Sequence, residues 1–122
     1  MQQWSMHLNR DQYDLLKAGS KTVEIRLRSQ DVDQVQPTDI IHFIPTPAKP
    51  SQSDEETLAV VTDINDFDTF EEGLRHFPPA AVGSPAGTSV REMVNAMYTI
   101  YSPADEAKHG VVFFTLDVVK PE

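Results

Sequence analysis

The sequence predicts an α+β fold whose mostly antiparallel sheet is able to close into a small barrel. Three observations carry this. Strand-like and helix-like segments are mixed without a regular β-α-β alternation. No segment repeats another. The 122 residues suit one domain, 1–122, with one adequate core.

The elements follow in order. Trp4, Met6 and Leu8 alternate with polar residues and read as a first strand. Asn9 is a suitable N-cap for a helix from Arg10 to about Ala18, with Tyr13, Leu16 and Lys17 at helical spacing. Gly19 suits the left-handed residue that ends it. Lys21–Leu27 reads as a strand with Val23, Ile25 and Leu27 on one face. Val32 and Val35 are spaced for one helical turn, Pro37-Thr38-Asp39 reads as a turn, and Asp39–Ile44 and Thr57–Ile64 are apolar strands. Between them, residues 45–54 (PTPAKPSQSD) hold three prolines and no large apolar side chain, and read as an exposed loop. A helix is expected from Asp68 to about Phe77, with acids in its first turn. An exposed loop follows at 78–87. Thr88 or Ser89 then caps a helix reaching about Tyr101, with Val90, Met93, Val94, Met97 and Tyr101 facing the core, and Ser102-Pro103 ends it. Val111–Val119 is a long apolar final strand.

Composition narrows the function. No apolar run approaches the roughly 20 residues of a membrane helix, and no signal peptide is visible. Cysteine is absent, which excludes disulfides, thiolate metal sites and a Cys nucleophile. A cytoplasmic protein is the expectation. The net charge of −9 is unevenly placed: residues 10–28 carry five bases against three acids, whereas residues 31–72 carry eleven acids against Lys49 alone. A broad acidic face repels polyanions, so duplex DNA is disfavoured, and a small basic site for one nucleotide or a short single strand remains open.

That basic site centres on Lys21, Glu24 and Arg26. On a regular strand Glu24 and Arg26 share a face and Lys21 lies on the other, although its long stem reaches either side. Two cations around a carboxylate hold a polar ligand or move its protons; a solvated surface with an exposed ion pair is the plainer alternative. His7, His42, His76 and His109 show no metal-ligand spacing, so no metal and no cofactor is expected. There is no G-x-S-x-G elbow, Walker loop or G-x-G-x-x-G. Tyr98 and Tyr101 lie three apart, suited to stacking on a base or to packing.

The string LNRDQYDLLKAGSKTVEIRL, then PTDIIHF, FDTFEE and MYTIYSPADEAKHGVV, resembles the ASCH domain family from about residue 6 to 118. The block from Gly19 to Arg26 carries the family hallmark, and the ending from Tyr101 to Val112 resembles one bacterial subgroup of small stand-alone members. The resemblance implies a PUA-like β-barrel flanked by helices. It also implies an RNA, nucleotide or nucleoside ligand in a cleft lined by Lys21, Glu24 and Arg26. Tyr101, Ser102 and His109, the last just ahead of the final strand and near the barrel mouth, are further ligand-binding candidates. One branch looks like an amidohydrolase that deacylates acetylated cytidine with a Lys, a Thr and a Glu. Lys21 matches that Lys, but Glu24 stands at the Thr position and Ala86 or Gly87 near the Glu. Other members are described as ribonucleases. Thr38-Asp39 departs from the family's usual Gly-Asp. Lys21 and Glu24 are the catalytic candidates: Lys21 as base, once burial or Arg26 favours its neutral amine, and Glu24 as proton shuttle. An acidic face docking a basic protein is the third reading.

Overall fold

Alternation in the first segment becomes strand β1 (Gln3–Asn9), with Leu8 buried and Trp4 and Met6 packed on the core. The computed structural model describes residues 1–49 and 54–120. After β1 come helix α1 (Arg10–Ala18), β2 (Val23–Leu27), a 3₁₀ turn (Val32–Gln34), β3 (Ile40–Thr46) and β4 (Thr57–Phe67). Helix α2 (Phe70–Leu74), a second 3₁₀ turn (Pro79–Val82), α3 (Val90–Met97), α4 (Pro103–His109) and β5 (Val111–Val118) complete the chain.

The five strands form one sheet in the order β1-β3-β4-β5-β2. β1 and β3 run parallel; the other three pairs are antiparallel. The expected barrel is a strongly curled half-barrel, because β1 and β2 stand at opposite ends of the hydrogen-bonded order. A register shift between Val61 and Asp63 breaks the β4 ladder, the kind of irregularity that bends a strand.

The two faces of the sheet bury separate clusters. Val112, Phe114 and Leu116 of β5 point to the face covered by α1, with Tyr13, Leu16, Ile41 and Phe43. Val111 and Phe113 point to the other face, with Val23, Ile25, Phe70 and Met93 beneath α2 and α3. A strand buried on both sides carries no polar alternation, which is why β5 reads as a continuous apolar run.

Several boundaries differ from the sequence reading. Asn9 makes no side-chain cap bond, whereas Gly19 ends α1 at φ 90°. Ser89 forms a full capping box with Glu92. Pro45 and Thr46, expected in a loop, extend β3 and pair with Leu8 and Asn9; residues 50–53 of that loop lie outside the described residues. The loop at 78–87 contains the Pro79–Val82 turn, with Val82 buried. α3 ends at Met97 with Tyr98 as its C-cap, short of the expected Tyr101, and Ser102-Pro103 instead begins α4, where the Ser102 side chain accepts from the Asp105 N–H.

Thr38 adopts φ 78°, a conformation that a β-branched residue rarely takes and glycine takes freely. Its N–H donates to the Val61 carbonyl at 2.7 Å, which holds the turn against β4. The next residue, Asp39, is buried and accepts from the Gln2 N–H, the Trp4 indole N–H and the Gln36 N–H, each at 2.9 Å. The Gln2 N–H above all, then Trp4 and Gln36, hold its carboxyl below the usual carboxylate range. Folding therefore favours the carboxylate, and its contribution is complete above the unfolded-state value near pH ~4. It is lost as pH falls through the lower folded-state value. Asp39→Asn is expected to lower stability at pH 7 and to flatten the acid limb, as read by urea unfolding at pH 7 and at successive steps below pH ~4.

Candidate functional site

The left-handed turn at Gly19 sends the chain from α1 back toward the sheet, and the Lys21 N–H donates to the Leu15 carbonyl at 3.1 Å. Regular pairing with β5 begins only at Val23. Lys21 thus precedes the strand and is free of its alternation, so it joins Glu24 and Arg26 instead of facing away from them. Its Nζ lies 3.1 Å from Glu24 Oε1 and donates to the Val82 carbonyl at 3.1 Å. Arg26 Nε donates to Glu24 Oε2 at 2.7 Å. Arg26 Nη2 donates to the His7 carbonyl at 2.7 Å, which bridges the gap between β2 and β1.

This is no exposed surface pair. Lys21 is 3% exposed and Glu24 6%. Each carboxylate oxygen of Glu24 is held by one cation, and the three groups together carry a formal charge of +1. An ammonium has three donors and a guanidinium five. The bonds above use two and two of them, so both cations keep donors for a ligand.

The triad lines a cleft of about 400 Å³, a volume within the small-ligand range. One wall comes from the end of β1 and from Gln12 of α1; Met93, Met97 and Tyr101 form the opposite wall. Gln12 Nε2 donates to the Gly83 carbonyl at 3.1 Å and ties α1 to the segment that also supplies the Val82 carbonyl. Tyr101 stacks on Phe70 with ring centroids 5.7 Å apart. Burial pushes its phenol above the usual range, and Arg26 pulls the other way.

The remaining candidates lie elsewhere. Ser102 is exposed at the start of α4. His109, at its end, is exposed and lines a second hollow with Arg28 and Asp66. Tyr98 is turned to Glu106, whose Oε1 accepts from the Tyr98 hydroxyl at 2.6 Å while Oε2 accepts from the Phe70 N–H at 2.7 Å. That buried carboxylate joins α4 to α2 and to the end of α3, a role the sequence did not signal. Of the other histidines, His7 meets Thr46, His42 lies between Glu56 and Gln3, and His76 stacks on Phe67. Among the described residues, no group of three or more His, Cys, Asp or Glu side chains comes together to hold a metal ion, and no helix is long and apolar enough to cross a membrane.

The family model for the ASCH domain matches residues 6–120. The chain belongs to the ASCH domain family. Its fold is shared with the hypothetical protein PH0355, whose crystal structure superposes with a TM-score of 0.79 at 28% identity, over 96% of this chain and 99% of that one. Protein PF0455 from Pyrococcus furiosus, solved by NMR, gives 0.69 at 24% identity over 98% and 99%. The crystal structure of a mutant ASCH protein from Zymomonas mobilis gives 0.59 at 18% identity, over 97% of this chain and 73% of that one. No curated protein matches the chain. In this ASCH domain the hallmark block from Gly19 to Arg26 supplies all three members of the ion triad, and the turn at Thr38 uses the positive φ that the family's usual glycine provides at no steric cost.

Proposed function

We propose that this ASCH domain binds RNA, or a nucleotide or nucleoside, in the cleft lined by Lys21, Glu24 and Arg26. The observation that supports it is the convergence of two cations on one buried carboxylate in the wall of a ligand-sized cleft, with donors left over. Lys21 and Arg26 contact a phosphate or a base carbonyl through charge-assisted bonds, roughly twice as strong as neutral ones. Glu24 fixes both cations and accepts from an exocyclic amine or a ribose hydroxyl. The acids of residues 31–72 repel a long polyanion, so the ligand is small or single-stranded.

Calorimetric titration with the four ribonucleoside 5′-monophosphates and short single-stranded RNAs checks this. Lys21→Ala is expected to weaken binding at least ~10-fold, about 1.4 kcal/mol, with folding confirmed by circular dichroism. Absence of binding to every one of these ligands removes the proposal.

A second reading is hydrolysis of an acylated nucleoside. It is favoured by the 3.1 Å separation of the Lys21 amine and the Glu24 carboxylate, within reach of direct proton transfer. Turnover of acylated nucleosides that both Lys21→Ala and Glu24→Gln abolish supports it; turnover indifferent to both excludes it.

A further inference from the structure

The cleft wraps around a sheet edge. Glu24 and Arg26 stand opposite Phe114 and Val112, on the α1 face of the sheet. Ile25 packs on the other face, with Leu74 and Met93. Members of both sets line the same cavity. A cavity lined from both faces of a sheet lies at its margin, and β2 is the terminal strand.

Antiparallel residues alternate between those that exchange backbone bonds with the neighbouring strand and those that direct N–H and C=O away from it. The Leu116 N–H donates to the Thr22 carbonyl, and the Arg28 N–H donates to the Gly110 carbonyl. Even-numbered residues of this segment therefore face β5, and Val23, Ile25 and Leu27 present their backbone groups to the free edge. Both ends of that edge are covered. The Pro79–Val82 turn packs against the start of β2, where the Thr22 N–H donates to the Ala81 carbonyl. At the far end the Leu27 N–H lies against the Tyr101 hydroxyl. Between them, the Ile25 N–H and C=O have no hydrogen-bond partner among the described residues, and Ile25 is 7% exposed. Backbone groups this buried require a partner.

We infer that the Ile25 N–H and C=O are the specificity element of the cleft, pairing with the unpaired Watson–Crick edge of a nucleobase. The inference rests on the nucleotide reading above. One extended residue offers a donor and an acceptor side by side, which match the adjacent acceptor and donor on a base edge. A strand-forming peptide needs a run of free residues to add to a sheet, and here the Pro79–Val82 turn packs against the start of β2 and the Tyr101 hydroxyl meets the Leu27 N–H at its end. With the base held at Ile25, Lys21 and Arg26 meet the ribose or phosphate, and Met97 contributes apolar wall. A paired base has no free edge to offer, so a duplex does not bind.

Amide hydrogen exchange of ¹⁵N-labelled protein tests this without a substitution that endangers folding. The probes are the four ribonucleoside 5′-monophosphates, followed by the analogue of the tightest binder methylated on its edge nitrogen (N3 for a pyrimidine, N1 for a purine). Exchange at the Ile25 amide is expected to slow at least ~10-fold in the complex, and the methylated analogue is expected to bind at least ~10-fold more weakly. If Lys21 and Arg26 side-chain signals shift while Ile25 exchange is unchanged, the edge assignment is overturned and the cleft reading stands. If no nucleotide moves any signal, both fall. Protection of Val23, Ile25 and Leu27 by an extended peptide alone also overturns the assignment.

Discussion

Glu24→Ala is expected to cost about 3–5 kcal/mol of folding free energy, the range for removing one partner of a buried ion pair. The magnitude follows from what remains. The Lys21 ammonium, 3% exposed, keeps only the Val82 carbonyl as a partner. Arg26 is partly exposed and keeps the His7 carbonyl, so most of the penalty falls on Lys21. Replacing the Lys21–Glu24 pair as a whole is a different operation, because apolar side chains of similar volume are often neutral or better in place of a buried pair. The double variant Lys21→Met, Glu24→Leu is therefore expected to recover most of the loss. Urea unfolding of the wild type, both single variants and the double variant gives the coupling directly. A cost below about 1 kcal/mol for Glu24→Ala means that water reaches the ammonium and that the pair behaves as a surface one. The double variant also separates stability from function: it folds, but has lost the Lys21 donor and the carboxylate, so nucleotide binding is expected to fall with it.

The parts of this fold that were legible in the sequence are those where one local signal has one meaning. Gly19 after an amphipathic stretch, the Ser89–Glu92 spacing, and the alternation of Trp4, Met6 and Leu8 each lead to the observed element. Ser102-Pro103 is different, since a capping Ser followed by Pro marks a helix start as well as a stop; here it marks the start of α4, while α3 ends earlier, at Met97. The charged groups of the site were legible from Lys21-Thr22-Val23-Glu24-Ile25-Arg26, but their geometry was not. Strand alternation applied to Lys21 sends it to the wrong face, because regular pairing starts two residues later. The carbonyls of His7 and Val82 that complete the ion cluster belong to the main chain, which leaves no mark on residue identity. The half-open sheet is likewise a matter of strand order, which no single segment encodes.

Gly73→Ala is the substitution for which local propensity and packing disagree most. In a helix interior, alanine is favoured over glycine by about 1 kcal/mol, and Gly73 lies within α2. A Cβ at this position, however, meets the ring of Phe113 and comes within 2.8 Å of Phe67 Cδ2. Phe113 cannot turn aside: it is fully buried, stacked on Phe77 at 5.3 Å and edge-on to Phe67 at 5.3 Å. The helix must lift instead, and overpacking of this kind costs typically ~1–3 kcal/mol, occasionally more. Packing is expected to win, with a net loss of about 2 kcal/mol in urea unfolding. Phe113→Leu, which trims the ring, is expected to offset part of that loss, giving a coupling of about 0.5–3 kcal/mol in the double variant. The consequence extends to the site. Phe113 stands directly opposite Ile25 in the β2–β5 register, and Leu74, next to Gly73, lines the cleft. Lifting α2 therefore moves one wall of the cleft while leaving Lys21, Glu24 and Arg26 in sequence, so weaker nucleotide binding is expected alongside the stability loss. If Gly73→Ala instead stabilises the fold by the helix-propensity amount, α2 does not press on Phe113 and this support for the cleft wall is absent.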